Sequence, residues 1–225
     1  IISVHWNSID FLEIQYKYLE KYIDFKYEMW ITMDGFKPHV VEKYKPKYDN
    51  VFVTGAKRHS GKLDLLTNKV LEVANDDDIL LFLDSDSWPI APVKNYILKT
   101  LSEYKLGAVK RVENIGDKQP HPCFCFTTVK SWKELGCPTW RSAGYSWIDA
   151  TGKERSDVGG NVLKSLEETG TDWYPMLRSN KTEYHPVYFA IYDNICYHHG
   201  AGSRQKWTKY DKVTYGEESK NKIRN

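Results

Sequence analysis

The sequence predicts an α/β fold, a mostly parallel central sheet with helices on both faces. Three observations carry this. Short apolar runs alternate with segments of helical spacing through the first hundred residues. The most apolar run, Ile79-Leu80-Leu81-Phe82-Leu83, lacks polar alternation, as a strand covered on both faces must. Turn-forming residues such as Asp34-Gly35 separate the segments.

Ile1 to Val4 reads as a first strand, followed by a turn at Trp6-Asn7-Ser8. Ser8 can cap a helix whose apolar residues Phe11, Leu12, Tyr16, Leu19, Tyr22 and Ile23 recur at helical spacing. A second strand spans Tyr27 to Met33, a short helix Pro38 to Tyr44, and a third strand Val51 to Val53. Leu63 to Ala74 is a helix leading into the strand at Ile79 to Leu83. Beyond residue 90 the spacing predicts a helix over Val93 to Tyr104 and strands at Leu106 to Val112 and Phe124 to Val129. Residues 132–152 are rich in Trp and Gly, and a helix follows from about Asp157 to Glu168. Val187 to Tyr192 and Ile195 to Tyr197 read as a late hairpin, and the tail from Gly216 is polar. With no internal repeat or low-complexity linker, residues 1–225 are expected to form one domain.

The chain has 225 residues, a mass of 26.3 kDa and no apolar run long enough to span a bilayer. Lys and Arg number 32 against 30 Asp and Glu, so no broad basic field points to nucleic acid. Four cysteines are too few for a disulfide scaffold, and no secretory segment is visible, so a cytoplasmic location is expected. The first residue is Ile rather than Met, which fits a fragment of a larger protein. Asn180-Lys181-Thr182 is a glycosylation sequon of the kind that also arises by chance. The 16 Tyr and 8 Trp imply a core plus some ring faces available to ligands such as sugars.

The most informative stretch is Leu83-Asp84-Ser85-Asp86-Ser87, where a buried strand emerges at its carboxyl end. Ligands of parallel sheets gather there. Residues two apart on a strand share a side, so the two carboxylates converge and repel unless a cation lies between them. Carboxylate and phosphate oxygens together suit Mn²⁺ or Mg²⁺. The plain alternative is a solvated turn.

Asp-x-Asp after about eighty residues of strand–helix alternation resembles the metal-dependent GT-A glycosyltransferases, which use nucleotide-diphosphate sugars. The resemblance implies a three-layer α/β/α fold. Its Rossmann-like nucleotide-sugar half would span about residues 1–112. A smaller mixed acceptor half with a C-terminal metal and diphosphate loop would span about 113–215. It further implies donor contacts from Trp6 and Asn7 after the first strand, and from Asp34, the acidic residue that meets the base. Arg58, His59 and Lys62 fall where the family contacts base or ribose, and Ser85 lies between the two acids. Tyr197-His198-His199-Gly200 resembles the C-terminal segment whose His completes the metal shell with Asp84 and Asp86. His199, beside the glycine, is slightly preferred over His198. Arg204 and Lys206 would contact the diphosphate. The donor is expected to be UDP-linked and the acceptor a glycan or other hydroxyl compound, with inversion favoured.

Inverting members place a carboxylate base near Arg155-Ser156-Asp157-Val158-Gly159-Gly160, which makes Asp157 the expected base and Asp149 the reserve. An isolated Asp here is otherwise an ordinary helix cap. Gly159 and Gly160 are costly in a first helical turn unless something approaches closely, and a sugar would do so. Trp140, Tyr145, Trp147 and Trp173 lie in the acceptor region, where one or two are expected to stack on sugar and the rest to be core.

Gly55 to Leu63 imitates a P-loop but has five residues between its glycines and no hydroxyl after Lys62. Cys123-x-Cys125 with His121 and Cys137 matches no usual zinc spacing. Two rival functions stand beside the transferase. A haloacid-dehalogenase-type phosphatase would use Asp84 as nucleophile, although Trp88 replaces its usual Thr or Val. The other is a non-catalytic carbohydrate- or nucleotide-binding protein.

Overall fold

The computed structural model describes residues 1–56, 58–142, 144–182 and 185–200. The elements of the first half are β1 (Ile2–Trp6), α1 (Ile9–Tyr22), β2 (Trp30–Asp34), α2 (Pro38–Tyr44), β3 (Asn50–Phe52), α3 (His59–Leu71), β4 (Ile79–Asp84) and β5 (Ser87–Pro89). They are followed by α4 (Lys94–Glu103), β6 (Leu106–Val109), β7 (His121–Thr128), α5 (Val129–Glu134), β8 (Trp147–Ile148) and β9 (Glu154–Arg155). The last are α6 (Gly160–Glu168), β10 (Tyr174–Met176), β11 (Ala190–Tyr192) and β12 (Cys196–His198).

The main sheet has the order β10-β6-β7-β4-β1-β2-β3. β3, β2, β1 and β4 are mutually parallel, and β10 is parallel to β6. The mostly parallel α/β sheet expected from the sequence is therefore present. β7 alone runs antiparallel to both its neighbours, β4 and β6. No helix lies between β6 and β7 to carry the chain back, so β7 returns in the opposite direction.

Side chains of β4 alternate between two cores. Leu81 and Leu83 pack with Leu12 and Leu19 of α1 and Ile97 of α4. Leu80 and Phe82 pack with Leu63 and Leu66 of α3, Trp132 of α5 and Val162 of α6. Both faces being covered, the strand has no polar position before Asp84. Each fully buried Leu contributes about 2 kcal/mol.

Ser8 caps α1 as expected, its Oγ accepting from Phe11 N at 3.4 Å. α6 starts later than the sequence suggests, with Gly159 as its N-cap at φ 92°. A Cβ on Gly159 would lie 2.1 Å from the Pro120 carbonyl oxygen. The close approach that this glycine permits is thus made by backbone of the same chain. The late hairpin is β11–β12, turning through Asp193 and Asn194 at φ 48° and 57°, the signature of a type I′ turn. β12 also pairs with β5, giving a second sheet of order β11-β12-β5. Among the described residues no helix is long and apolar enough to cross a membrane.

Candidate active site

Asp84 ends β4, and Asp86 lies between it and β5, so both sit at the carboxyl end of the central parallel strands. The pairing of β12 with β5 sets His198 opposite Ser87, and His199 N donates to Asp86 O at 2.9 Å. Neighbouring strand residues point to opposite sides. His198 Nε2 lies 3.6 Å from Asp86 Oδ1. The His199 ring instead packs between Phe11 (5.1 Å) and Phe189 (4.9 Å), with Nδ1 3.2 Å from the Tyr197 hydroxyl. The expected preference for His199 is therefore corrected: His198 is the imidazole brought to the carboxylates. Ligand atoms of Asp84, Asp86 and His198 all lie within 4.8 Å of one another.

Two further histidines flank Asp84. His59 Nε2 is 3.1 Å from Oδ1, and His121 Nδ1 is 3.8 Å from Oδ2. Burial disfavours the charged form of His59, but the negative charges of Asp84 and Asp86 outweigh it and raise its pKa. Burial, then the charges of Arg111, His198 and His59, drive His121 well below its ordinary value. The two imidazoles beside Asp84 are thus shifted in opposite directions. The buried Oδ1 of Asp84 receives no hydrogen bond of good geometry.

α3 ties these acids to the end of β2. His59 and Lys62 are three residues apart, on one helical face. Lys62 Nζ is 2.9 Å from Asp34 Oδ2 and lies 4.5 Å from the centre of the Trp6 ring. Asp34 is buried and also accepts from Thr54 N (2.7 Å) and Thr54 Oγ1 (3.2 Å). Its oxygens are engaged by the chain itself, whereas Trp6 is 47% exposed. Asn7 adopts φ 47° and donates its N–H to Asp34 O at 3.2 Å. Arg58 is exposed at the N-cap of α3, and Ser85 is half-buried in the turn.

On the expected acceptor side, Asp157 is exposed and accepts from Val158 N at 2.8 Å. Asp149 differs. Its carboxylate accepts from Thr151 Oγ1 and N (both 2.7 Å), Lys153 N (3.0 Å) and Arg155 Nε (2.9 Å). The Thr151 hydroxyl, then Arg155 and the two amides, hold it far below the usual carboxylate range against the opposing effect of burial. A carboxylate so satisfied is a poor base.

Trp140 is fully buried, 4.8 Å from the Phe82 ring and stacked on Trp132 at 5.7 Å. No ring face is left for sugar, so Trp140 is corrected to a core residue. Trp147 is also buried, Trp173 is half-buried, and the Tyr145 hydroxyl bonds Glu167. Gly159 and Gly160 are approached by Pro120 and by Ser142 and Tyr145 respectively, which corrects the reading of both as room for a sugar. Arg204 and Lys206 lie outside the described residues.

Two groups escaped the sequence reading. The first lies between β6 and β7. Arg111 Nη1 is 3.2 Å from His121 Nε2, Glu113 accepts from the Tyr192 hydroxyl at 2.6 Å, and Asn114 donates to Asp117 at 2.6 Å. Burial lifts Asp117 to about 6, opposed by Arg111 and by the Asn114 amide. Arg111, Glu113, Asn114 and Asp117 are loop residues without periodic spacing, so no pattern announces them. The second is Gln15, whose amide donates to the Asp84 and Ser87 carbonyls. It did carry a signal: a polar residue within the buried stripe Leu12–Gln15–Leu19.

No protein-family model and no curated protein matches the chain. Several solved structures are similar to it. The mannosyltransferase PcManGT from Pyrobaculum calidifontis, in complex with GDP-Man and Mn²⁺, is 14% identical over 77% of this chain and 53% of its own, with a TM-score of 0.49. TarS from S. aureus is 18% identical over 60% of this chain and 29% of its own, with a TM-score of 0.39. The galactosyltransferase LgtC, in complex with donor and acceptor sugar analogs, is 15% identical over 76% and 72%, with a TM-score of 0.45. This chain thus spans about half the length of PcManGT and under a third of TarS.

Proposed function

We propose that this chain is a metal-dependent glycosyltransferase. It moves a sugar from a nucleotide-diphosphate donor, UDP-linked by preference, to a hydroxyl of a glycan or other acceptor, with inversion. The observation that carries the reading is the convergence of Asp84, Asp86 and His198 at the carboxyl end of β4. One turn of α3 links that cluster to Lys62 and the open Trp6 ring.

The donor set, two carboxylates and one imidazole with a buried Asp84 oxygen lacking a good hydrogen bond, fits Mn²⁺ or Mg²⁺. Asp84, Asp86 and His198 would hold the cation, and it would supply counter-charge to a diphosphate leaving group. Trp6 offers its ring face to the nucleotide base, with Lys62 fixing the ring from the other side. Asp157, exposed and lightly bonded, takes the proton of the acceptor hydroxyl. In this reading residues 1–112 hold the donor and 113–215 the acceptor. Tyr145, Trp147 and Trp173 flank the acceptor, and Arg204 and Lys206 pair with the diphosphate.

Nucleoside diphosphate release from UDP- and GDP-sugars tests this. The expected release stops with a chelator, returns with Mn²⁺ and is lost in Asp86→Ala together with metal-dependent donor binding. Turnover of a generic aryl phosphate without nucleotide-sugar cleavage would instead assign a phosphatase with Asp84 as nucleophile. Binding without either activity would assign a carbohydrate- or nucleotide-binding protein.

A further inference from the structure

Gln15 is 1% exposed, on the face of α1 that packs against the sheet between Leu12 and Leu19. Its amide nitrogen donates both hydrogens, to Asp84 O at 2.7 Å and to Ser87 O at 2.8 Å. Those two carbonyls are the ends of the turn that carries Asp84 and Asp86. The amide oxygen accepts from Ser3 Oγ at 3.0 Å, and Ser3 Oγ lies 3.2 Å from His5 Nε2. Ser3 and His5 are the inward polar residues of β1, two apart and hence on one side of the strand. The amide is therefore saturated and held in one orientation. Reversing it would place its oxygen against two carbonyl oxygens.

Asp84 and Asp86 repel at this separation, so the turn must be held from behind if both are to face one ligand. Ser87 Oγ, which lies within hydrogen-bond distance of the Cys123 carbonyl and, at 3.0 Å, of the Asp84 carbonyl, and His199 N, bonded to Asp86 O, hold the turn from within and from the end of β12. Among the described residues, Gln15 is the side chain from outside the turn that bonds both of its end carbonyls. We propose that Gln15 is a positioning residue for the cation site, clamping the Asp84–Ser87 turn so that the two carboxylates converge. The inference rests on the proposed cation role of Asp84 and Asp86. Residues behind metal ligands have measurable weight, about 10–100-fold in affinity when removed.

The test is Mn²⁺ titration of the folded full chain, with calorimetry as readout. Gln15→Glu and Gln15→Met should each weaken Mn²⁺ binding by about tenfold or more. The Glu variant is decisive, because an added negative charge near a cation tightens binding if position is irrelevant. Ser3→Ala, which frees the amide without removing it, should give a smaller loss in the same direction. Val162→Ala, a core change in α6, should lower stability and leave Mn²⁺ affinity unchanged. Wild-type affinity in the Gln15 variants overturns the proposal; if they do not fold, wild-type affinity in Ser3→Ala overturns it. Asp86→Asn separates the underlying reading. Mn²⁺ binding that survives that change removes the cation site and this inference with it. Binding lost in Asp86→Asn but intact in the Gln15 variants removes the positioning role alone.

Discussion

Asp117 illustrates how a single buried carboxyl makes the whole chain respond to pH. Its folded pKa of about 6 lies above the ordinary value, so the folded state favours the protonated form. That contribution is fully present below the unfolded pKa, near 4, and is lost as pH rises through 6. The shift corresponds to about 3 kcal/mol at most. Urea unfolding at pH 4 and pH 7 should show Asp117→Asn gaining on the wild type at the higher pH by up to that amount. Parallel behaviour of the two proteins would contradict it. The two candidate bases separate in the same residue-by-residue way. Asp157→Asn should keep donor affinity and lose transfer by about 10²-fold or more. Asp149→Asn should lower the melting temperature, because it dismantles the Thr151, Lys153 and Arg155 bonds. A stable Asp149→Asn lacking transfer would exchange the roles.

At the scale of elements, α6 depends on its entry. Gly159→Ala would force a Cβ against the Pro120 carbonyl at φ 92°, whereas Gly152→Ala, at φ 81°, meets nothing within 4 Å. Chemical denaturation should show a loss of about 1–2 kcal/mol for Gly152→Ala, the cost of the left-handed conformation alone. Gly159→Ala should lose more than that, and equal losses would contradict the account. The helices other than α5 and the long strands were legible in the sequence because caps and periodicity are local. Ser8 and the stripe through Leu12 and Leu19 place α1, and the unbroken apolar run places β4. β5 and β8 to β10, each two or three residues long, were not legible, since so short a segment has no period. The pair Asp84 and Asp86 was legible for the same reason as β4. The choice of His198 was not, because the register of β12 on β5 is a long-range fact. Trp140 misled because residue type alone does not tell a core indole from a sugar platform.

For the whole molecule, two cores hold the sheet on both faces while the small sheet β11-β12-β5 carries His198 to the carboxyl end of β4. The site therefore draws on residues more than a hundred positions apart and forms only when the chain folds. A ligand that needs this assembly must stabilise the folded state. At a free concentration of about 100 Kd the gain is about 2.7 kcal/mol. For a chain of this length that corresponds to a rise of about 5–10 °C in melting temperature. The most direct measurement is thermal unfolding of the wild type and Asp86→Asn with Mn²⁺ and UDP together, against each alone and neither. The account predicts a rise of this order in the wild type with both ligands together, larger than with either alone, and absent from the variant. A rise of equal size in the two proteins, or none in the wild type at saturating Mn²⁺ with UDP or GDP, would contradict it.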